Sequence, residues 1–203
     1  MSLTAADYHK LEEKAVAIRE DIIKMLVEAG SGHSAGPLGM ADVFTALYFN
    51  VLKHDPKKPD WDERDMLVLS NGHICPVLYA TLAHAGYFPI SELKTLRKLG
   101  TRLQGHPHRG ALPGIETTSG PLGSGLSQAC GMAYGLRMDN SKMDIYIEFN
   151  PTKLTQNSFN VIQKLSEIIT DCGQPGEYEI DIFRITINNL NTYEHELIVC
   201  NKD

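Results

Sequence analysis

"RLQGHPHRGALPGIETTSGPLGSGLSQACGMAYG", residues 102–135, sets two histidines and a chain of glycines ahead of a helix-forming run. Glycine lets the main chain approach a phosphate or a ring closely, and imidazole can hydrogen-bond an oxygen or move a proton. The pairing therefore predicts a ligand loop, 101–120, that opens a helix over about 122–138. The N–H groups of "TTSGPLGSG", 117–125, are suited to face an anion or lie against a ring. No Gly-Lys-Ser/Thr follows, so the stretch is not a P-loop. Along the helix, Gly123, Ser127, Gly131 and Gly135 fall every four residues. Each glycine costs about 1 kcal/mol relative to alanine. A helix accepting that cost is expected to be deeply packed.

Upstream, "MLVLS", 66–70, reads as a buried strand, followed by Asn71-Gly72-His73 and a helix over about 74–85. A strand that runs into a Gly-His loop is where α/β folds place ligands. Residues 4–29 carry Leu11, Ala15, Ile18, Ile22, Met25 and Ala29 at helical spacing, with Gly30 as a stop. "GSGHSAGP", 30–37, is a loop, and Pro37 suits the first turn of a helix over about 38–52. A polar connection, 53–65, leads to the strand, and Ser91 reads as the N-cap of a short helix ending at Gly100. Three loops thus present histidine beside glycine: Gly32-His33, Gly72-His73 and Gly105-His106. A competing reading makes His106 and His108 an HxH metal pair, although no acidic ligand or cysteine accompanies them at a familiar spacing.

Beyond residue 142 the composition changes. Residues 1–142 hold 15 basic and 15 acidic residues; 143–203 hold 4 and 10, and so carry the whole net charge of −6. Fifteen of the 17 glycines lie before the seam, which divides the chain at 142/143. In the tail, "DIYIEF" (144–149) reads as a strand and 157–170 as a helix. "EYEIDIFRITI" (177–187) reads as a strand that pairs with "ELIVC" (196–200) across "NNLN". The expected fold class is α/β, helix-rich, followed by a small acidic α+β tail.

The acidic balance argues against nucleic-acid binding, and no apolar run is long enough to span a membrane. The charged start, "MSLTAADYHKLEEKAV", is unlike a signal peptide. Cys75, Cys130, Cys172 and Cys200 lie far apart without CxxC spacing, which suits reduced thiols and a cytoplasmic setting.

Taken in order, "GSGHSAGPLGMADVFTALYFNVLKHDPKKPDWDERDMLVLSNGHICPVLYATLAHAGYFP" and "LRKLGTRLQGHPHRGALPGIETTSGPLGSGLSQACGMAYGLRMD" resemble the N-terminal section of transketolases over about residues 8–140. Split transketolases, built from separate N- and C-terminal subunits, are the closest likeness. Deoxyxylulose-phosphate synthases share the fold but fit "LSNGH" and "QGHP" less well. The resemblance implies half of a doubly wound domain that binds thiamine diphosphate with Mg²⁺. It also implies transfer of a two-carbon ketol unit between sugar phosphates, for which the cofactor supplies the electron sink. It implies that His33 lies near the substrate and the diphosphate, His73 by the diphosphate, and His106 at the hydroxyl and carbonyl end of the donor. Gly120, Pro121 and Leu122 match the loop against the thiamine rings.

Two departures stand out. Ser34 replaces the proline that usually follows the first histidine, a change expected to alter loop stiffness more than chemistry. After Asp139 the family pattern reaches Gly-Asp-Gly-Glu and a later asparagine, which hold the cation; here "MDIYIEFNPTKL" follows and Gly-Asp-Gly is absent. Asp144, Glu148 and Asn150 are weak substitutes, better read as a solvated strand edge, so the metal ligands stay unassigned. The pyrimidine-binding domain is also missing, so the resemblance calls for a C-terminal transketolase-like subunit, and the open sheet for self-association. The alternative is an inactive remnant that serves as a protein-interaction module.

Overall fold

The computed structural model describes residues 4–139, 145–148, 184–189 and 192–198. Helix α1 (Ala5–Ala29) opens with a capping box: the Thr4 side chain accepts from the Asp7 N–H, and the Asp7 carboxylate accepts from the Thr4 N–H. It closes at Gly30, whose φ of 63° suits a residue without a Cβ. Its buried stripe is Ala15, Ile18, Ile22 and Met25, as the spacing predicts.

The helix expected over 38–52 starts earlier and is broken. It forms α2 (Ala35–Gly39) and α3 (Ala41–Ala46), which runs on into a π-helical turn at Leu47–Val51. Pro37 sits buried in the first turn of α2, where its missing N–H costs no helical bond. The connection 53–65 is closed at its base. Lys53 N–H donates to the buried Asp65 carboxylate at 2.7 Å, and Asp65 N–H donates to Lys53 O at 2.8 Å.

Strand β1 (Met66–Leu69) then enters the core, and a 3₁₀ turn at Gly72–Ile74 leads into α4 (Cys75–Ala85). Every residue of α4 from Cys75 to Ala83 is buried, so it is a central helix with no solvent face. The next short helix is 3₁₀, Ile90–Thr95, with Pro89 in the cap position. Ser91 therefore lies inside it and caps nothing, because Pro89 already supplies the extended entry to the turn.

Helix α5 (Ser124–Met138) precedes β2 (Ile145–Glu148), which pairs parallel with β1 from Met66↔Ile145 to Leu69↔Glu148. Alternation along the strands separates two cores. Leu67, Leu69 and Tyr146 pack with α1, α3 and α4, whereas Val68, Ile145 and Ile147 pack with Ala129 of α5. Helices thus cover both faces of a parallel sheet, the layering of an α/β domain.

The small-residue face of α5 does not meet the expectation of deep packing. Gly123, Ser127 and Gly131 are exposed, and a Cβ added at Gly131 or Gly135 would have no neighbour within 4 Å. The helix turns Leu126, Ala129, Met132, Ala133 and Leu136 to the sheet instead, and the four-residue spacing carries the glycines to another side.

In the tail, β3 (Arg184–Asn189) and β4 (Thr192–Ile198) pair antiparallel, with an irregularity between Ile187 and Asn189. The expected pairing across "NNLN" (188–191) forms; β3 extends into that stretch through Asn189, and β4 begins just after it at Thr192, four residues before the expected 196. The expected helix 157–170, the start of the 177–187 strand and the 142/143 seam lie outside the described residues. Cys75 and Cys130 are free thiols, while Cys172 and Cys200 also lie outside. Among the described residues, no helix is long and apolar enough to cross a membrane.

Candidate functional site

The carboxyl end of β1 is where the loops converge, and two glycines make that possible. A Cβ on Gly125 would lie 2.5 Å from Ser70 Cα, and one on Gly72 would lie 2.8 Å from the Ser119 carbonyl. With no side chain at either position, the loop 117–125 lies directly across the strand end. The buried Ser119 hydroxyl donates to Leu69 O at 2.7 Å, and Gly123 N–H donates to Ser70 O at 3.0 Å. Asn71 turns the chain after β1, its side-chain oxygen accepting from His73 N–H at 3.3 Å.

The His106 loop is tied to α4 by its carbonyls. Tyr79 OH donates to Gln104 O at 2.9 Å, and Cys75 Sγ donates to Gly105 O at 3.2 Å. Ser119 N–H donates to Pro107 O at 3.1 Å, which joins this loop to the glycine loop. Burial pushes the Cys75 thiol up to about 12, so it stays protonated and acts as a donor. His33 arrives separately, on the turn between α1 and α2, where Gly32 has φ 132°.

These three loops bring three of the expected site residues together. The His33 and His73 rings meet edge to face with centroids 4.9 Å apart, and the His73 and His106 rings do so at 4.8 Å. Nδ1 of His73 is buried and has no hydrogen-bond partner. Burial holds the His106 imidazole below its ordinary pKa, and the His73, His33 and Arg97 charges add to that shift. Gly120 is half-buried with open space at its Cβ position, and Pro121 and Leu122 are exposed beside it. Ser34 makes no side-chain capping bond at the start of α2.

His108 does not join the cluster; its Nδ1 lies 3.5 Å from the Thr118 hydroxyl. Among the described residues, no group of three or more His, Cys, Asp or Glu side chains is arranged to hold a metal. Of the three substitutes weighed for the cation, Asp144 and Asn150 lie outside the described residues, and Glu148 ends β2 opposite Leu69.

Sequence reading missed the residues that brace the site. Ser119, Tyr79 and Cys75 act through buried bonds to loop carbonyls, which no motif announces. Arg97 lines the same shallow cleft as His33, His73 and Gly105. Its position nine residues before His106 carried no periodic signal.

The family described as transketolase, thiamine diphosphate binding domain, matches residues 11–150, a span that runs through β2. The chain is 48% identical over 127 residues to the transketolase of Buchnera aphidicola subsp. Acyrthosiphon pisum, covering 62% of this chain and 19% of that protein. It is 46% identical over 136 residues to the 6-deoxy-6-sulfo-D-fructose transketolase subunit SqwG of Clostridium sp. (strain MSTE9), covering 67% of this chain and 50% of that subunit. Among solved structures, transketolase from Campylobacter jejuni subsp. jejuni superposes with a TM-score of 0.68 at 31% identity, covering 81% of this chain and 27% of that one. The chain therefore spans from about a fifth to half of the length of these curated relatives. On the family match and these identities, the chain belongs to the transketolase family, in the section that forms its thiamine diphosphate-binding domain.

Proposed function

We propose that this chain is a transketolase-like subunit that moves a two-carbon ketol unit between sugar phosphates when a C-terminal transketolase-like subunit completes it. The observation that carries this reading is the His33–His73–His106 cluster beside the bare loop at Gly120.

The residues fit thiamine diphosphate. His73 has a buried, unpartnered Nδ1 that calls for a polar ligand, and the surface at Gly120, Pro121 and Leu122 is open to a flat ring. When bound, the cofactor supplies the electron sink for breaking and making the carbon–carbon bond. The chain's own residues bind and orient. His106, kept neutral near pH 7, can accept a proton from a donor hydroxyl or hydrogen-bond its oxygen. His33 offers a second imidazole to the sugar, and His73 one to the diphosphate.

Among the described residues no group of three or more His, Cys, Asp or Glu side chains is placed to hold a cation, and the segment where the resemblance puts its ligands lies outside them. Phe149-Asn150-Pro151 stands where the resemblance calls for Gly-Asp-Gly. That absence favours the second reading, an inactive remnant that binds a protein partner, whether a related subunit or another copy of the chain. Among the described residues β1 and β2 form a sheet of only two strands, a further reason for a partner.

The test is calorimetric titration with thiamine diphosphate, with and without Mg²⁺, followed by a ketol-transfer assay with a C-terminal subunit. Mg²⁺-dependent binding and a transfer rate that falls about 100-fold in His106→Ala support the enzyme. Failure of both leaves the interaction module.

A further inference from the structure

The His106 ring has no hydrogen bond of its own among the described residues, so its main chain decides where the imidazole stands. That main chain is irregular: residues 101–107 are neither helix nor strand, and their carbonyls cannot rely on a backbone ladder for partners. Two of them find donors on α4 instead. Tyr79 OH donates to Gln104 O at 2.9 Å, and Cys75 Sγ donates to Gly105 O at 3.2 Å. Gln104 and Gly105 are the two residues directly before His106.

Both donors belong to one element. Cys75 and Tyr79 are four residues apart, hence on one face of α4, and both are buried. Burial pushes the Tyr79 hydroxyl above its ordinary pKa and the Cys75 thiol up to about 12, so both keep their protons and stay donors. His73 belongs to the same element, in the 3₁₀ turn at Gly72–Ile74 that runs straight into α4. One helix thus carries His73 through the chain and His106 through two side chains, and the two rings stand 4.8 Å apart.

We propose that Tyr79, assisted by Cys75, is the positioning residue of His106 and holds its imidazole against His73. Each side chain acts through a loop carbonyl and not on the ring itself. The consequence for ketol transfer rests on the function proposed for His106, whereas the placement of the ring does not.

The test uses the full chain with Tyr79→Phe, Cys75→Ala and Cys75→Ser. Ile147→Val, in the core on the other face of the sheet, is a control that loosens packing away from the loop. NMR of the ring protons reads two things that loss of stability alone would not move: the His106 titration midpoint and the cross-relaxation between the His73 and His106 rings. Tyr79→Phe keeps the aromatic ring and loses only the donor. It is expected to weaken the cross-relaxation and to raise the His106 midpoint towards the ordinary histidine value, as the loop lifts into water. Cys75→Ala is expected to do the same to a smaller degree, and Cys75→Ser, which keeps a donor, to restore the parent behaviour. Should Tyr79→Phe not fold, the cysteine pair reads the same contact. Unmoved rings and midpoint in Tyr79→Phe and Cys75→Ala, or an equal change in Ile147→Val, overturn the proposal. With a C-terminal subunit present, the transfer rate is expected to fall about tenfold or more in Tyr79→Phe, since misplacement by about 1 Å can cost roughly 100-fold. A displaced His106 in a chain that never supports ketol transfer keeps Tyr79 as its positioning residue and removes only the enzyme reading.

Discussion

The rings of His73 and His106 stand edge to face, 4.8 Å between centroids, although one follows a strand and the other lies in an irregular loop. Burial is the largest cause of the lowered His106 pKa, and the neighbouring His73 ring is the next. The first prediction concerns that coupling. Replacing His73 with Gln should raise the His106 midpoint towards the ordinary histidine value, read by NMR titration of the ring protons. An unmoved midpoint would show that the rings do not sense each other. Linkage sets the sign for stability. The folded-state pKa of His106 is depressed, so the unfolded chain takes up the proton first as the pH falls. Its contribution to stability is intact above the ordinary histidine range and declines as pH drops from there through the lowered value.

Much of this site was legible because its signals are local. Histidine after glycine in three loops, and a short apolar run before one of them, need only neighbours in sequence to be noticed. The α1 stripe, β1 and α4 follow from spacing in the same way. What was not legible depends on contacts from afar. Ser119 matters because its hydroxyl reaches Leu69 O, and Gly125 because Ser70 occupies the space of its Cβ. The role of Gly131 was misjudged for the same reason: the spacing identifies a bare face, but not what lies against it.

That contrast gives the second prediction. Gly125→Ala forces a methyl group to 2.5 Å from Ser70 Cα, against backbone that cannot swing aside. A loss of about 1–3 kcal/mol in urea unfolding is expected, as for overpacked cores. Gly131→Ala meets nothing within 4 Å among the described residues, in a helix interior. It should gain about 0.4–1 kcal/mol by restricting the unfolded chain. Equal effects at the two positions would contradict the packing described for α5.

The third prediction separates thiols by burial. Cys75 is buried, donates to Gly105 O and has its thiol pushed up to about 12; Cys130 is half-buried with a smaller rise. Alkylation of the native chain at pH 8, mapped by mass spectrometry, should label Cys130 well before Cys75, because only thiolate reacts. Early labelling of Cys75 would mean that the His106 loop lifts from α4.

The last prediction concerns the brace behind the glycine loop. Arg64 and Glu116 pair at 2.8 Å with side chains only 13% and 11% exposed, joining the 53–65 connection to the loop four residues before Gly120. Burial raises the Glu116 carboxyl above its ordinary pKa despite the opposing pull of Arg64, so desolvation outweighs the pair's attraction. With the folded-state pKa raised, this group's contribution is present below the ordinary glutamate value and is lost as pH rises through the raised one. Arg64→Met would leave that carboxylate buried alone, and a loss of about 3–5 kcal/mol is expected at neutral pH. The loss should shrink in acid, where Glu116 is protonated. Adding Glu116→Leu to Arg64→Met removes the stranded charge and should restore most of the stability. Urea unfolding of the two single variants and the double variant at two pH values reads the cycle. A double variant as unstable as Arg64→Met alone would show that Arg64 stabilises through its packing and its other bonds, and that the buried charge pair is incidental to holding the loop.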